Sequence, residues 1–342
     1  MIKRHVNIPI FIPHLGCPND CVFCNQRIIS GVSEFNPESV IPIIELALST
    51  TDASDDIEIA FFGGSFTGID VGLMKELLKI ANSYLIQGRI SSIRCSTRPD
   101  YINEEVLNIL KQYGVTTIEL GLQSVSDDVL RISKRGHDFA DEKEAVGKIK
   151  NFGFRLGGQM MIGLPGSKIE DEIKTATFIV ESGADEARIY PTVVFKGTEL
   201  CEMTKNADYT PLTLEEAVER SSKVFEIMVN AGVKVLRIGL CDSENLHNDT
   251  TYYSGPNHAA IGEMVESEYY YSMISKMLSS SDYNGKASLT LTVAKGHTSK
   301  VIGQRRKNKI RLFTEYGFNT VRVIESESVT PYKVVIGEEE RK

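Results

Sequence analysis

The chain has 342 residues, 42% hydrophobic and 25% charged, with 38 Lys and Arg against 46 Asp and Glu for a net charge of −8. These proportions exclude a disordered or collagen-like chain, and the net acidity argues against a nucleic-acid surface spread over the whole molecule, though not against a local one. No apolar run approaches the roughly 18 residues needed to cross a bilayer, and the start, Met1-Ile-Lys-Arg-His-Val-Asn-Ile-Pro9, lacks the features of a signal peptide. The expectation is a cytoplasmic protein without membrane contact, built from one large α/β domain and a smaller one.

Apolar runs that read as strands alternate with amphipathic stretches that read as helices. Strands are expected at Val6–Ile12, Ile57–Phe62, Ser92–Ser96, Thr116–Gly121, Gly157–Ile162 and Ala187–Val194. Helices are expected at Pro37–Leu48, Val71–Gln87, Asn103–Tyr113, Asp127–Ser133, Asp141–Phe152 and Lys168–Ser182, with Asn103 opening one, and Gly114 and Gly153 closing others. Such alternation predicts βαβ units around a parallel sheet. Six units are too few for the eight of a closed barrel, so the reading is α/β, a partial (β/α)6 barrel, with a doubly wound sheet as the alternative. Either way, function belongs at the carboxyl ends of the strands.

Further on, Thr213–Val229 reads as a helix with Thr213 as its cap, and Val233–Leu240 as a strand. A polar loop spans Cys241–His258, and Ala260–Leu278 is again helical. The polar break Ser279–Gly285 is the candidate boundary, followed by a strand at Ala287–Ala294, a helix at Ser299–Tyr316 and a strand at Thr320–Ile324. The expected organisation is a barrel over 1–195, an extension over 196–282 and a small basic β-α-β appendage over 283–342.

Chemistry is concentrated at the first strand end. Of six cysteines, three form Cys17-Pro-Asn-Asp-Cys21-Val-Phe-Cys24, while Cys95, Cys201 and Cys241 are scattered. Three thiolates on one loop can converge on one inorganic centre. A structural zinc site wants four ligands, commonly two separated pairs, and no second pair is present. A [4Fe–4S] cluster held by three cysteines keeps one iron open for another ligand. Zinc and plain loop cysteines are the alternatives, and the scattered cysteines are either ligands of an auxiliary cluster or buried small hydrophobes.

This loop, with Phe23 before its last cysteine, resembles the signature of the radical S-adenosylmethionine (SAM) superfamily. The resemblance implies that Cys17, Cys21 and Cys24 are the catalytic, metal-ligating residues, and that SAM chelates the open iron. It implies reductive cleavage of SAM to a 5′-deoxyadenosyl radical, with the electron from a donor such as flavodoxin or ferredoxin. Other strand ends carry matching strings. Phe62-Gly63-Gly64-Ser65-Phe66-Thr67-Gly68 falls where the superfamily grips the SAM amino group, with Ser65 replacing an acid; alone it would read as a tight turn. Cys95-Ser-Thr-Arg-Pro-Asp100, Glu119-Leu-Gly-Leu-Gln123-Ser124, Lys134-Arg-Gly-His137 and Gln159-Met-Met-Ile-Gly-Leu-Pro-Gly166 follow. Arg98 and Asp100 are either ligand-binding or a salt-bridged turn.

By motif matching, Ser96, Gln123, Arg135 and Gln159 fall on SAM-contacting positions of the coproporphyrinogen-oxidase-like group. The strings as a whole, with Gly255-Pro-Asn-His-Ala-Ala-Ile-Gly-Glu-Met-Val-Glu266, look closer to the radical SAM half of the catalytic subunit of Elongator. The resemblance runs over about residues 5–270. The chain is expected to lack that subunit's acetyltransferase domain, so acetyl-CoA chemistry is not carried over.

Residues 283–314 hold Lys286, Lys295, Lys300, Arg305, Arg306, Lys307, Lys309 and Arg311 and no acid. This asymmetry makes 286–311 a candidate RNA-binding face, against a solvated basic helix. Val301-Ile-Gly-Gln-Arg-Arg-Lys-Asn-Lys-Ile310 is partly similar to the helix–GxxG–helix of KH domains, lacking the second glycine. Tyr252, Tyr253 and Tyr269–Tyr271 either line a cleft or pack in the core. Three functions follow: a radical SAM enzyme acting on tRNA or other RNA, one acting on a tetrapyrrole or other small molecule (or serving as a haem chaperone), and a non-catalytic metal-binding interaction protein.

Overall fold

The computed structural model describes residues 4–12, 15–17, 21–30, 32, 34–52, 54–240, 250–279 and 288–337. Cys241, Lys286 and the expected boundary at 282/283 lie outside the described residues. The strands run in chain order: β1 His5–Ile12, β2 Asp56–Gly63, β3 Ser92–Thr97, β4 Val115–Gln123, β5 Arg155–Ile162 and β6 Glu186–Pro191. Then come β7 Val194–Phe195, β8 Lys234–Ile238, β9 Tyr252–Ser254, β10 Ser288–Ala294, β11 Thr320–Ser326 and β12 Val334–Gly337.

One sheet takes β1 to β6 in sequence order and adds β8 at its far edge. Every neighbouring pair is parallel, and the seven strands curl into a half-barrel. The strand expected near Val233–Leu240 is thus a seventh barrel strand. The apolar runs form strands because both faces are covered. Ile59, Ile93, Ile118, Leu156 and Ile189 point outward under the helices with no exposure. Local signals start the helices: Asp70 accepts from Leu73 N–H at 2.9 Å, Asn103 accepts from Val106 N–H at 2.9 Å, and Thr213 with Glu216 makes a capping box.

The C-terminal appendage differs from the β-α-β expectation. Its sheet has the order β11-β10-β12, with β10 parallel to β11 and antiparallel to β12. The helix expected over Ser299–Tyr316 is two, Thr298–Ile302 and Lys307–Tyr316. Gly303 (φ +76°) ends the first, and Arg305 and Arg306 then take left-handed backbone at φ 50° and 61°. The stretch Gly303–Lys309 holds no apolar side chain, so periodicity could not show this break. Tyr269, Tyr270 and Tyr271 are buried in the core, as the packing reading held. They lie on the helix Ile261–Ser279 and join the appendage to the barrel: Tyr270 Oη is 2.6 Å from His297 Nδ1 and accepts from Tyr332 N–H at 3.0 Å. Apolar side chains of barrel and appendage form one continuous core.

Candidate active site

The inner wall of the half-barrel encloses a cavity of about 640 Å³. All eleven residues singled out above line it: Cys17, Cys21, Phe23, Cys24, Gly63, Gly64, Ser65, Ser96, Gln123, Arg135 and Gln159. They come from the ends of β1 to β4 or the loops that follow, with Gln159 inside β5.

The cysteine loop is seated by backbone contact. A Cβ on Gly16 would lie 1.8 Å from the Ser65 carbonyl oxygen, so only glycine lets the loop rest on the Gly64–Gly68 turn. Gly63, at φ +114°, starts that turn, and its backbone is packed against Ile12. The Ser65 hydroxyl lies 2.8 Å from Thr97 Oγ1 and accepts from Arg98 N–H at 3.3 Å, while Thr97 Oγ1 also lies 2.5 Å from Thr67 Oγ1. This buried hydroxyl chain ties the glycine turn to the end of β3. The Ser65 backbone N–H in turn faces the Cys17 sulfur.

Burial raises the thiols of Cys17 and Cys24, and neighbouring thiolates add to the effect, pushing Cys24 up to about 12. Two guanidiniums act in the opposite sense. Arg135 Nη1 donates to Cys21 Sγ at 3.3 Å, and Arg98 Nη1 lies 3.8 Å from the same sulfur. Arg98 is also fixed by Asp100 at 2.9 and 3.0 Å, so the salt-bridged turn is present and touches the cysteine loop as well.

Gln123 sits at a register shift between β4 and β5 with φ 71°, a left-handed backbone rare outside glycine. Its Oε1 and the Nε of Arg135 are buried without a protein partner. Gln159 Nε2 donates to Glu119 Oε2 at 2.7 Å and to Ser96 Oγ at 3.3 Å. The sequence reading missed the charged floor beneath. Arg94 binds Glu58, Glu119 and Glu186, and Arg188 meets Glu119 at 2.8 and 3.0 Å. The signal was available: four of the strands, β2, β3, β4 and β6, carry charged residues at the inward-pointing phase (Glu58, Arg94, Glu119, Glu186 and Arg188), and period-two alternation brings them together.

The donor set suits a thiophilic, multi-iron centre: three thiols on one wall, positive charge beside them, and unsatisfied polar atoms of Gln123 and Arg135 facing the same space. Among the described residues no three His, Cys, Asp or Glu side chains are grouped to hold a single metal ion. A four-iron cube is larger, and each thiolate takes its own corner. Cys95 and Cys201 are fully buried, Cys95 in the main core and Cys201 in a small apolar cluster with Val22 and Phe23 of the cysteine loop.

Residues 11–179 match the model of the Radical SAM superfamily, and residues 184–271 match the Radical_SAM C-terminal domain. The chain belongs to the radical SAM superfamily. It is a radical SAM enzyme, and superfamily members in general use SAM and a [4Fe–4S] cluster. An uncharacterized protein of Methanocaldococcus jannaschii is 30% identical over 223 residues, covering 61% of this chain and 68% of that protein. The tRNA uridine(34) acetyltransferase of the same organism is 35% identical over 167 residues, 48% of this chain and 30% of the relative. The chain spans 30%, 36% and 52% of the lengths of three such acetyltransferases. The solved structure of Methanocaldococcus infernus Elp3 superposes with a TM-score of 0.63 at 26% identity, covering 81% of this chain and 64% of that one. The Elongator-like resemblance is borne out. No helix among the described residues is long and apolar enough to cross a membrane.

Proposed function

We propose that this enzyme modifies an RNA, with tRNA the first candidate, by radical chemistry in the half-barrel. Cys17, Cys21 and Cys24 would hold the cluster, and Gly63, Gly64, Ser65, Ser96, Gln123, Arg135 and Gln159 would hold SAM, with Phe23 packing beside them. Together the cluster and SAM supply a hydrogen-abstracting 5′-deoxyadenosyl radical. The chain's own part is to orient both and to exclude water: the hydroxyl chain Ser65–Thr97–Thr67 fixes the glycine turn, and Gln159 is aimed by Glu119.

The observation that carries the reading is the convergence of all these side chains on one cavity at the carboxyl ends of parallel strands. The RNA assignment is supported by the tRNA-modifying name of the relative and by the exposed turn of Arg305, Arg306 and Lys307. That basic face is narrower than its sequence suggests. Lys300 pairs with Glu266, Arg311 with Glu268 at 2.8 Å and Lys295 with Glu327 at 2.9 Å, all acids from outside the segment. Among the described residues Arg305, Arg306 and Lys307 are three exposed cations in a row available for phosphate.

The test is anaerobic reconstitution with dithionite and SAM, with and without bulk tRNA, followed by analysis of 5′-deoxyadenosine and nucleoside masses. Expected are 5′-deoxyadenosine formation and a tRNA-dependent mass change. Arg305→Glu with Arg306→Glu should weaken RNA binding and leave SAM cleavage intact. Turnover of a metabolite or a porphyrin, indifferent to tRNA and to those substitutions, would reject the RNA reading.

A further inference from the structure

We propose that Arg98 is a positioning residue for the cluster, and that its guanidinium sets how readily the cluster accepts an electron. This rests on the reading that Cys17, Cys21 and Cys24 carry that cluster.

Arg98 directly follows β3 and is 4% exposed. Asp100 takes Nε and Nη2 in two parallel bonds of 2.9 and 3.0 Å, and Nη2 also reaches the Arg135 carbonyl. A planar fork held at two edges has one orientation left. That orientation aims Nη1 at Cys21 Sγ, 3.8 Å away. Cys21 is itself buried, and Arg135 approaches its sulfur with Nη1 at 3.3 Å while Nη2 is held by the Gly121 carbonyl at 2.6 Å. Two guanidiniums therefore converge on one cysteine.

The charges are arranged with a direction. The Asp100 carboxylate lies on the edge of Arg98 away from the sulfur, so the pair is a dipole with its positive end toward Cys21. Arg135 is held by a neutral carbonyl on its other arm. When one electron from an external reductant enters an iron–sulfur centre, the centre gains a unit of negative charge and no bond is made or broken. Positive charge and N–H donation at a ligand sulfur favour that state, and burial keeps water from screening them. Asp100 opposes the effect while it fixes the geometry. Removing the guanidinium and removing its carboxylate should therefore move the potential in opposite directions, a signature that a merely structural salt bridge lacks.

The full chain is reconstituted anaerobically with iron and sulfide, without SAM, and poised against redox mediators with dithionite. The electron paramagnetic resonance signal of the reduced cluster is then followed. At the wild-type midpoint, Arg98→Gln should lower the ratio of reduced to oxidised cluster by about tenfold, equivalent to 59 mV for a one-electron couple. Asp100→Asn should raise that ratio several-fold. Wild-type midpoints in both loaded variants overturn the proposal. Should Arg98→Gln take up no cluster, Asp100→Asn decides alone, and an unchanged or lowered ratio there overturns it. Failure of the unsubstituted chain to take up a cluster sinks the cluster reading itself.

Discussion

Nη1 of Arg94 lies 2.6 Å from Oε1 of Glu119 on the floor of the half-barrel, with both side chains out of reach of water. The same nitrogen is 2.5 Å from Glu186, and Nε binds Glu58, so one guanidinium bridges carboxylates from three other strands. Burial works against an ionised Glu119, but Arg188 and Arg94 together outweigh it and hold the carboxyl below its ordinary range. Through Glu119 the network aims Gln159 into the cavity, so the floor is part of what shapes the site.

Arg94→Met tests this arrangement. It would leave three carboxylates in a dry interior, with Arg188 near Glu119, Arg155 near Glu186 and His5 near Glu58. Breaking a buried ion pair from one side costs about 3–5 kcal/mol, and urea unfolding should register at least that loss. Adding Glu58→Gln and Glu186→Gln should recover much of it. An Arg94→Met midpoint equal to wild type would show that the network carries little of the fold.

Single alanine replacements of Cys17, Cys21 and Cys24 should each abolish uptake of the brown chromophore on reconstitution with iron and sulfide. Cys95→Ala should leave the chromophore intact and cost about 1 kcal/mol of packing, because burial pushes the Cys95 thiol far up and keeps it protonated. Iron and sulfide analysis of the four proteins checks this. An equal requirement for Cys95 would mean that the ligand set is misassigned.

Arg306→Gly separates stability from binding in the appendage. A left-handed backbone costs a non-glycine residue about 1–2 kcal/mol, partly offset by glycine's greater freedom in the unfolded chain. At φ 61° the substitution should raise stability by about 0.5 kcal/mol in thermal or urea unfolding. RNA affinity should fall, with the salt slope of binding reduced by about 0.7. A gain in stability without any change in RNA binding would assign the turn to folding alone.

What the sequence made legible was whatever depends on local pattern. Apolar runs such as Val6–Ile12 and Ile57–Phe62 became β1 and β2, and caps such as Asn103 and Thr213 act within one turn. The cysteine loop was legible because its ligands are neighbours in sequence. The rest depends on partners far along the chain. Val194–Phe195 pairs with Tyr252–Ser254 across more than fifty residues, too short a match to signal itself. The cations of the basic segment looked unopposed because Glu266, Glu268 and Glu327 lie outside it. The break between the appendage helices falls on two arginines, residues that give no warning of left-handed backbone.

The pair behind the site, His137 and Glu142, yields a prediction with a definite pH dependence. His137 Nε2 lies 3.3 Å from Glu142 Oε1, and both side chains are buried. Burial dominates both groups: it pushes Glu142 well above its ordinary value and His137 down to about 3. Near neutral pH the imidazole is therefore neutral, beside a carboxyl that holds its proton well above the ordinary carboxylate range, and the contact is not an ion pair. A carboxyl whose folded pKa is raised holds its proton after the unfolded chain has lost it. Stability from Glu142 is thus fully present below its unfolded pKa of about 4.5 and declines as pH rises toward the folded value. Glu142→Gln keeps the shape and cannot ionise, so its advantage over wild type should grow by up to about 1.4 kcal/mol per pH unit above that point. His137 has the opposite slope, because the unfolded imidazole takes a proton below about 6.5 while the buried one does not until far lower. That contribution is common to both proteins and cancels in the difference. Urea unfolding of wild type and Glu142→Gln at pH 5, 6.5 and 8 (about those values) measures it. A difference that stays flat across the series would mean that Glu142 is ionised in the folded protein and that the contact is a salt bridge.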